Sequence, residues 1–140
     1  MPKQPAFLNV DLEVGARTRV RLAPLIRALR GKLFELHRGR HDDLYRVHYE
    51  TNGCALDASA TIHELAAAVE ALDPVARRAW TDATLRDFNV GVELARGVAL
   101  VELAIDPDAA RRVVALGGRL VFTAYQVTVL ERATRKRARS

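Results

Sequence analysis

Polar and apolar residues alternate strictly in the first patterned stretch of the chain. In residues 7–14, FLNVDLEV, every second side chain is apolar, whereas the intervening Asn9, Asp11 and Glu13 are polar. A period of two is typical of a β-strand with one face buried and the other in solvent. Residues 86–94, RDFNVGVEL, repeat the pattern, so the sequence predicts two strands that each turn a polar side away from the core.

Apolar spacing and turn residues predict the remaining elements. Apolar residues three and four apart indicate helices, and Gly31 and Gly117 stand where a helix would end. The predicted helices occupy about residues 22–29, 61–72, 74–80 and 107–116, and further strands occupy 32–38, 44–50, 98–105 and 119–130. The large apolar residues expected to face the core are Phe34, Leu36, Tyr45, Trp80, Phe88 and Phe122.

The element order β-α-β-β-α-α-β-β-α-β predicts an α+β fold. Its first elements match the split βαβ, or ferredoxin-like, arrangement, and a further βαβ unit would extend the same sheet. We therefore expect a six-stranded, mainly antiparallel sheet with helices on one face. Residues 1–130 are expected to form this single domain, and residues 131–140 a basic, disordered tail.

Composition places the chain among ordinary globular proteins. It has 140 residues, of which 49% are apolar and 28% are charged. Cys54 is the single cysteine, so no internal disulfide can form, which fits a reducing compartment. The first residues lack the pattern of a signal peptide, and no apolar run approaches the roughly 20 residues of a membrane helix. We expect a cytoplasmic protein with no membrane partner, and the excess of arginine over lysine is typical of bacteria with GC-rich genomes.

The polar faces of the predicted strands are the first candidate for a binding surface. They make a mixed, mostly acidic layer, which suits a basic protein partner or a small polar ligand better than nucleic acid. Open sheets that bind single-stranded RNA stack bases on aromatic residues, and Phe7 is the one aromatic candidate in this predicted layer. The residues predicted to face outward are Asn9, Asp11, Glu13, Glu35, His37, Arg46, His48, Asp87, Asn89, Glu93, Leu100 and Glu102.

Histidines and acids around the predicted hairpin are the second candidate. As an enzyme, the protein would use His37 or His48 with Asp11 or Glu35 as an acid–base pair. The spacing does not match a zinc motif, and no phosphate-loop or dinucleotide fingerprint occurs, so we predict neither a metal nor a cofactor. The group around the hairpin consists of His37, His41, Asp42, Asp43 and His48.

Arginines at one end of the predicted sheet are the third candidate. The net charge is +5, and the last ten residues supply four of these charges, so the rest of the chain is almost neutral. Crossover connections make the first two strands parallel, and a last strand parallel to them would bring the tail to the same edge. Cations gathered there could bind nucleic acid or another anion. They would be Arg17, Arg19, Arg21, Arg38, Arg40, Arg132, Arg135, Lys136, Arg137 and Arg139.

Three stretches resemble small uncharacterised bacterial α+β proteins of unknown function. They are FLNVDLEV, RDFNVGVEL and ALGGRLVFTAY, and the resemblance covers most of residues 6–126. It implies a compact α+β fold, and it implies no activity, cofactor or functional residue.

Three classes of function follow, in order of preference. The leading hypothesis is a non-enzymatic binding or interaction protein that uses the polar sheet face or an edge strand, with a protein partner or a second copy of itself. The alternatives are a binder of nucleic acid or another anion at the arginine edge, and an enzyme with a small pocket near the hairpin. No residue is assigned as catalytic. The candidate binding residues are Asp11, Glu13, His37, His48, Arg17, Arg19, Arg21, Arg38 and Arg40.

Overall fold

Five strands and four helices make up the part of the chain that the computed structural model describes, residues 6–53, 57–97 and 100–126. The predicted α+β class is confirmed, and no described helix is long and apolar enough to cross a membrane. The strands are β1 (Ala6–Ala16), β2 (Phe34–His41), β3 (Leu44–Glu50), β4 (Leu85–Leu94) and β5 (Arg119–Gln126). The helices are α1 (Arg19–Leu29), α2 (Ala58–Glu70), α3 (Pro74–Asp82) and α4 (Pro107–Ala115).

The strands form one open sheet in the order β2-β3-β1-β4-β5. The central strand β1 pairs antiparallel with β3 on one side and with β4 on the other. β2 pairs antiparallel with β3 at one edge, and β5 pairs parallel with β4 at the other. A parallel neighbour needs a crossover connection, which α4 supplies between β4 and β5.

The alternation along the strands separates the sheet into two faces. Val10, Leu12 and Val14 on β1 are fully buried and belong to one hydrophobic core together with the inner residues of all four helices. Trp80 of α3 meets Phe88 of β4 edge to face in this core, with ring centroids 6.3 Å apart. The helices therefore cover one face of the sheet, and among the described residues no helix lies on the opposite face, which we call the outer face.

The predicted strand over 98–105 is wrong where the structure describes it. Residues 100–105 form no regular element, and residues 98 and 99 lie outside the described part. Val101, Leu103 and Ile105 are half-buried and pack against the core as an irregular segment. Alternation alone could not exclude this arrangement, because an extended segment can bury every second side chain without a strand partner. The sheet accordingly has five strands in the described residues rather than six.

A β-bulge in β2 overturns the predicted orientation of its apolar residues. The register shifts between Glu35 and His37, so Phe34 lies opposite Glu50 on the outer face and is 54% exposed. Glu35, predicted to face outward, instead lies opposite the buried Tyr49 on the helix-covered side. One extra residue reverses the alternation of a strand, which sequence periodicity does not reveal. Leu36 at the bulge and Phe122 on the edge strand β5 are also exposed, contrary to expectation.

One arginine joins the ends of two helices. The Nη1 of Arg86 donates to three carbonyl oxygens at the C-terminal end of α3, and its Nε donates to the Gly117 oxygen just after α4, at 2.9 Å. Trp80 adds a second link, since its Nε1 donates to the Leu116 oxygen at 2.8 Å. Helix C-terminal ends have unpaired carbonyl groups and a partial negative charge, so a cation placed between them stabilises both.

Arg86→Gln is expected to lower the free energy of unfolding by about 2–3 kcal/mol, because several carbonyl oxygens lose a charged donor that Gln is too short to replace. Urea denaturation measures the change. Arg78→Gln is the matched control, since Arg78 is 85% exposed and makes only an ion pair with Asp82 within α3; its effect should stay within about 0.5 kcal/mol. Equal effects of the two substitutions would contradict the proposed role of Arg86.

Candidate functional site

Cross-strand register brings polar side chains of β1, β3 and β4 together on the outer face. Glu13 at the centre lies opposite His48 on β3 and opposite Asp87 on β4. Asp11, two residues earlier on β1, lies opposite Asn89. Side chains directly opposite each other in an antiparallel pair are close enough to interact. The alternation predicted from the sequence therefore holds for these three strands, and it produces a continuous polar layer.

Hydrogen bonds connect this polar layer across the sheet. The Thr123 hydroxyl on β5 donates to Asn89 Oδ1 at 2.8 Å, and Asn89 Nδ2 donates to Glu13 Oε1 at 3.1 Å. Arg119 binds both carboxylate oxygens of Asp87 at 2.8 Å, which compensates for the burial of a side chain that is only 7% exposed. Such networks hold carboxylates in fixed orientations. The Glu13 side chain is thus held in one orientation on the outer face.

Two imidazole rings stack beside Glu13. His37 and His48, which we call the imidazole pair, have ring centroids 4.2 Å apart and an interplanar angle of 33°. His48 Nδ1 lies 3.7 Å from Glu13 Oε1, and both side chains are less than one-fifth exposed. Burial lowers the pKa of His48 from its ordinary value of 6.5, and neighbouring cations act in the same direction, while Glu13 opposes them. His48 is therefore uncharged at neutral pH.

Arg46 lies between two glycines on the outer face. Its cross-strand neighbours are Gly15 on β1 and Gly39 on β2. A Cβ at Gly15 would be 3.2 Å from Leu85 Cβ and 3.3 Å from a methyl carbon of Leu44, so only glycine fits there without adjustment. A Cβ at Gly39 would meet no atom within 4 Å, so there is open space at this neighbour of Arg46. The Nε of Arg46 is buried and has no hydrogen-bond partner within the described ranges.

These groups line a pocket of about 530 Å³, the outer pocket, at the β2–β3 end of the outer face. The register places Arg46 and Glu13 on the outer face, whereas Arg38 lies opposite the buried Val47 and Arg40 opposite Tyr45, with their side chains on the helix-covered side. Two of the arginines have partners, because Arg38 binds both carboxylate oxygens of Glu35 and Arg40 Nη2 donates to the Arg17 carbonyl oxygen at 2.9 Å. The lining residues are Glu13, His37, Arg38, Gly39, Arg40, His41, Arg46 and His48.

The outer pocket brings together five of the nine residues predicted to bind a ligand, namely Glu13, His37, His48, Arg38 and Arg40. Asp11 shares the outer face but does not line the pocket. Arg17 reaches the rim through its carbonyl oxygen, Arg19 is exposed at the start of α1, and Arg21 lines a separate hollow of about 600 Å³ between α1 and α3. The remaining four residues are thus dispersed.

The predicted approach of the tail to the arginine edge does not fit the direction of β5. Because β5 runs parallel to β4 and β4 antiparallel to β1, Gln126 lies at the opposite end of the sheet from Arg17. The tail itself, residues 131–140, lies outside the described residues. The predicted acid–base partners also differ, since His48 approaches Glu13 rather than Asp11, and Glu35 is bound to Arg38 on the other side of the sheet. Leu100 and Glu102 belong to no strand and so leave the predicted layer.

Three residues of the outer face were not among the nine candidate binding residues, namely Arg46, Asn89 and Thr123. The alternation of β3 and β4 places Arg46 and Asn89 on the outer face, but the glycines that flank Arg46 come from distant parts of the chain. Only the strand register could have paired them with Arg46. The signal for this site is an outward-facing arginine with a glycine opposite it on each of the two neighbouring strands.

No group of three His, Cys, Asp or Glu residues is arranged to hold a metal ion in the described part of the chain, and Cys54 lies outside that part. No protein-family model matches the chain, and neither a curated protein nor a solved structure does. Functional arguments therefore rest on the geometry of the outer pocket.

His48→Gln is expected to flatten the acid side of the stability profile. Because the pKa of His48 is lowered in the folded protein, the unfolded chain takes up the proton first as pH falls below about 6.5, and the free energy of unfolding then decreases. This loss is at most about 1.4 kcal/mol per pH unit for one proton, and Gln should remove it. Urea denaturation of both proteins across the range from acid to neutral pH measures the difference in slope.

His41→Gln is the matched control for this prediction, because the His41 side chain is 72% exposed. This variant should keep the wild-type dependence of the free energy of unfolding on pH. Equal slopes for the wild type and for His48→Gln would contradict the lowered pKa of His48.

Proposed function

We propose that the protein is a non-enzymatic binding protein that holds a small anionic ligand, with a carboxylate, sulfate or phosphate group, in the outer pocket. The observation that carries this proposal is Arg46, a guanidinium that lines the outer pocket and whose buried Nε–H has no hydrogen-bond partner among the residues described. Burial of a charged group without a compensating partner is unfavourable. An anion in the pocket would supply the compensating charge.

The surroundings of Arg46 support an anion in particular. Open space at Gly39, the cross-strand neighbour of Arg46, gives a ligand room in the outer pocket. Planar guanidinium groups bind carboxylate and phosphate oxygens with two parallel hydrogen bonds, so Arg46 suits such a group geometrically.

A small ligand fits this surface better than a macromolecule. The positive charge of Arg46 lies in one pocket, whereas the rest of the outer face is an acidic and amide layer joined by its own hydrogen bonds. A nucleic acid needs cations spread along a path of phosphates. A protein partner or a second copy of the chain, docked on the edge strands β2 or β5, is the broader form of the same binding hypothesis.

The proposed fold of the binding protein is a split βαβ, or ferredoxin-like, core with additions. The supporting observation is that the first four strands have the order β2-β3-β1-β4 and are antiparallel throughout. The additions would be α3, before β4, and the α4–β5 unit that extends the sheet beyond β4.

A second candidate function is an enzyme in which Glu13 and His48 act as an acid–base pair on a ligand bound in the outer pocket. The 3.7 Å approach of these two side chains beside a pocket favours it. Mass spectrometry of a ligand recovered after long incubation separates the two functions, because a binding protein returns the ligand unchanged and an enzyme does not.

Isothermal titration calorimetry with sulfate and with oxalate tests the anion site. The wild type should bind at least one of these anions in a single class of sites, and Arg46→Gln should weaken binding by about 10- to 100-fold, which corresponds to the loss of a charged hydrogen bond. Arg111→Gln is the matched control, because Arg111 is an exposed residue of α4 that pairs with Asp108, and it should bind as the wild type does.

Absence of binding by both anions at millimolar concentrations would refute the anion site. Equal affinities of the wild type and Arg46→Gln would show that the anion binds elsewhere, and a thermal denaturation curve of Arg46→Gln verifies that the variant is folded.

A further inference from the structure

The outer pocket contains two imidazoles close to Arg46. The imidazole pair has ring centroids 4.2 Å apart, and the His48 side chain is 18% exposed. Histidine is the side chain whose ordinary pKa places its change of charge closest to physiological pH. The register brings the two rings together, because His37 lies directly opposite His48 and next to the pair Gly39 and Arg46.

Charged groups surround the imidazole pair from three strands. From β2 comes the ionisable His41 and from β3 comes Arg46, while the side chains of Arg38 and Arg40 lie on the other side of the sheet. Glu13 approaches from β1, and behind it on β4 lies Asp87, whose charge is compensated by Arg119. The helices lie on the other face of the sheet and contribute no charge to this pocket.

In the empty pocket this arrangement disfavours a charged imidazole. A proton on His48 would be placed against a second imidazole and near Arg46, with only Glu13 in opposition, and burial adds to the cost. An anion beside Arg46 reverses the balance, because it supplies a negative charge within a few ångströms of both rings. The protonated form then gains an ion pair that the empty pocket lacks.

We propose that the outer pocket couples anion binding to proton uptake, so that an anion enters beside Arg46 together with a proton that the imidazole pair binds. This inference rests on the proposed anion-binding function and adds its regulation. By linkage, a ligand that favours the protonated state binds more tightly where protons are more abundant. Affinity therefore rises as pH falls, by up to tenfold per pH unit for one proton.

Calorimetry at pH 7 in two buffers of different ionisation enthalpy measures the number of protons taken up. The probe is sulfate or oxalate, whichever binds, since both stay ionised from about pH 6 to pH 8 and add no proton of their own. The wild type should take up a measurable fraction of one proton for each anion bound. Its dissociation constant should fall from pH 8 to pH 6.

Two substitutions assign the proton to the imidazole pair. His48→Gln and His37→Gln should each still bind the anion but should lose most of the proton uptake and of the pH dependence. His63→Gln, a change at an imidazole of α2 that does not line the outer pocket, should retain both. Because the wild-type measurement needs no variant, the inference remains testable even where one substitution impairs folding.

The outcomes separate this inference from the function on which it rests. Binding of the anion with no proton uptake, or uptake that persists in both imidazole variants, overturns the coupling and leaves the anion site intact. Loss of uptake in His63→Gln would also overturn it, because the proton would then reside outside the pair. Failure of both anions to bind overturns the anion site and the coupling together.

Discussion

The antiparallel register of β1 with β3 and β4 is the constraint on which both layers of the molecule depend. It sends Val10, Leu12 and Val14 into the core and places Glu13 between His48 and Asp87 on the outer face. A shift of one residue would exchange the two faces and expose the apolar set to water. Burial of these apolar side chains therefore determines the register, and the register in turn determines which polar groups meet. The candidate site is a consequence of the same interaction that holds the sheet to its helices.

Small residues create the site as much as polar residues do. Gly15 and Gly39 flank Arg46 on neighbouring strands, and the lack of side chains there lets the arginine stem lie on the sheet while space remains beside it. Most buried polar groups nearby have partners, as Asp87 has Arg119. In the described part of the sheet the Arg46 Nε and the Tyr49 hydroxyl are buried without a hydrogen-bond partner, and of these two residues Arg46 is the charged one that lines the outer pocket.

Local sequence patterns predicted correctly the features that depend on one element alone. They failed for the features that depend on how a strand pairs with its neighbouring strand. The alternation of β1 and β4 and the burial of Trp80 and Phe88 were predicted correctly, since each follows from the element's own periodicity. Phe34 and Glu35 were assigned to the wrong faces, because a bulge against β3 reversed the alternation. The stretch 100–105 has a strand pattern but no strand partner, since β5 occupies the free edge of β4 through a parallel crossover.

The sequence by itself determined the α+β class, the two strongly alternating strands and the polar character of the outer face, because side-chain direction in a strand depends only on position along it. It also placed His37 and His48 on one face. Tertiary structure alone decided that Arg46 lies between two glycines, that Glu13 rather than Asp11 or Glu35 meets His48, and that β5 runs away from the arginine edge. These facts depend on strand order and register, which are fixed by contacts between residues far apart in the chain.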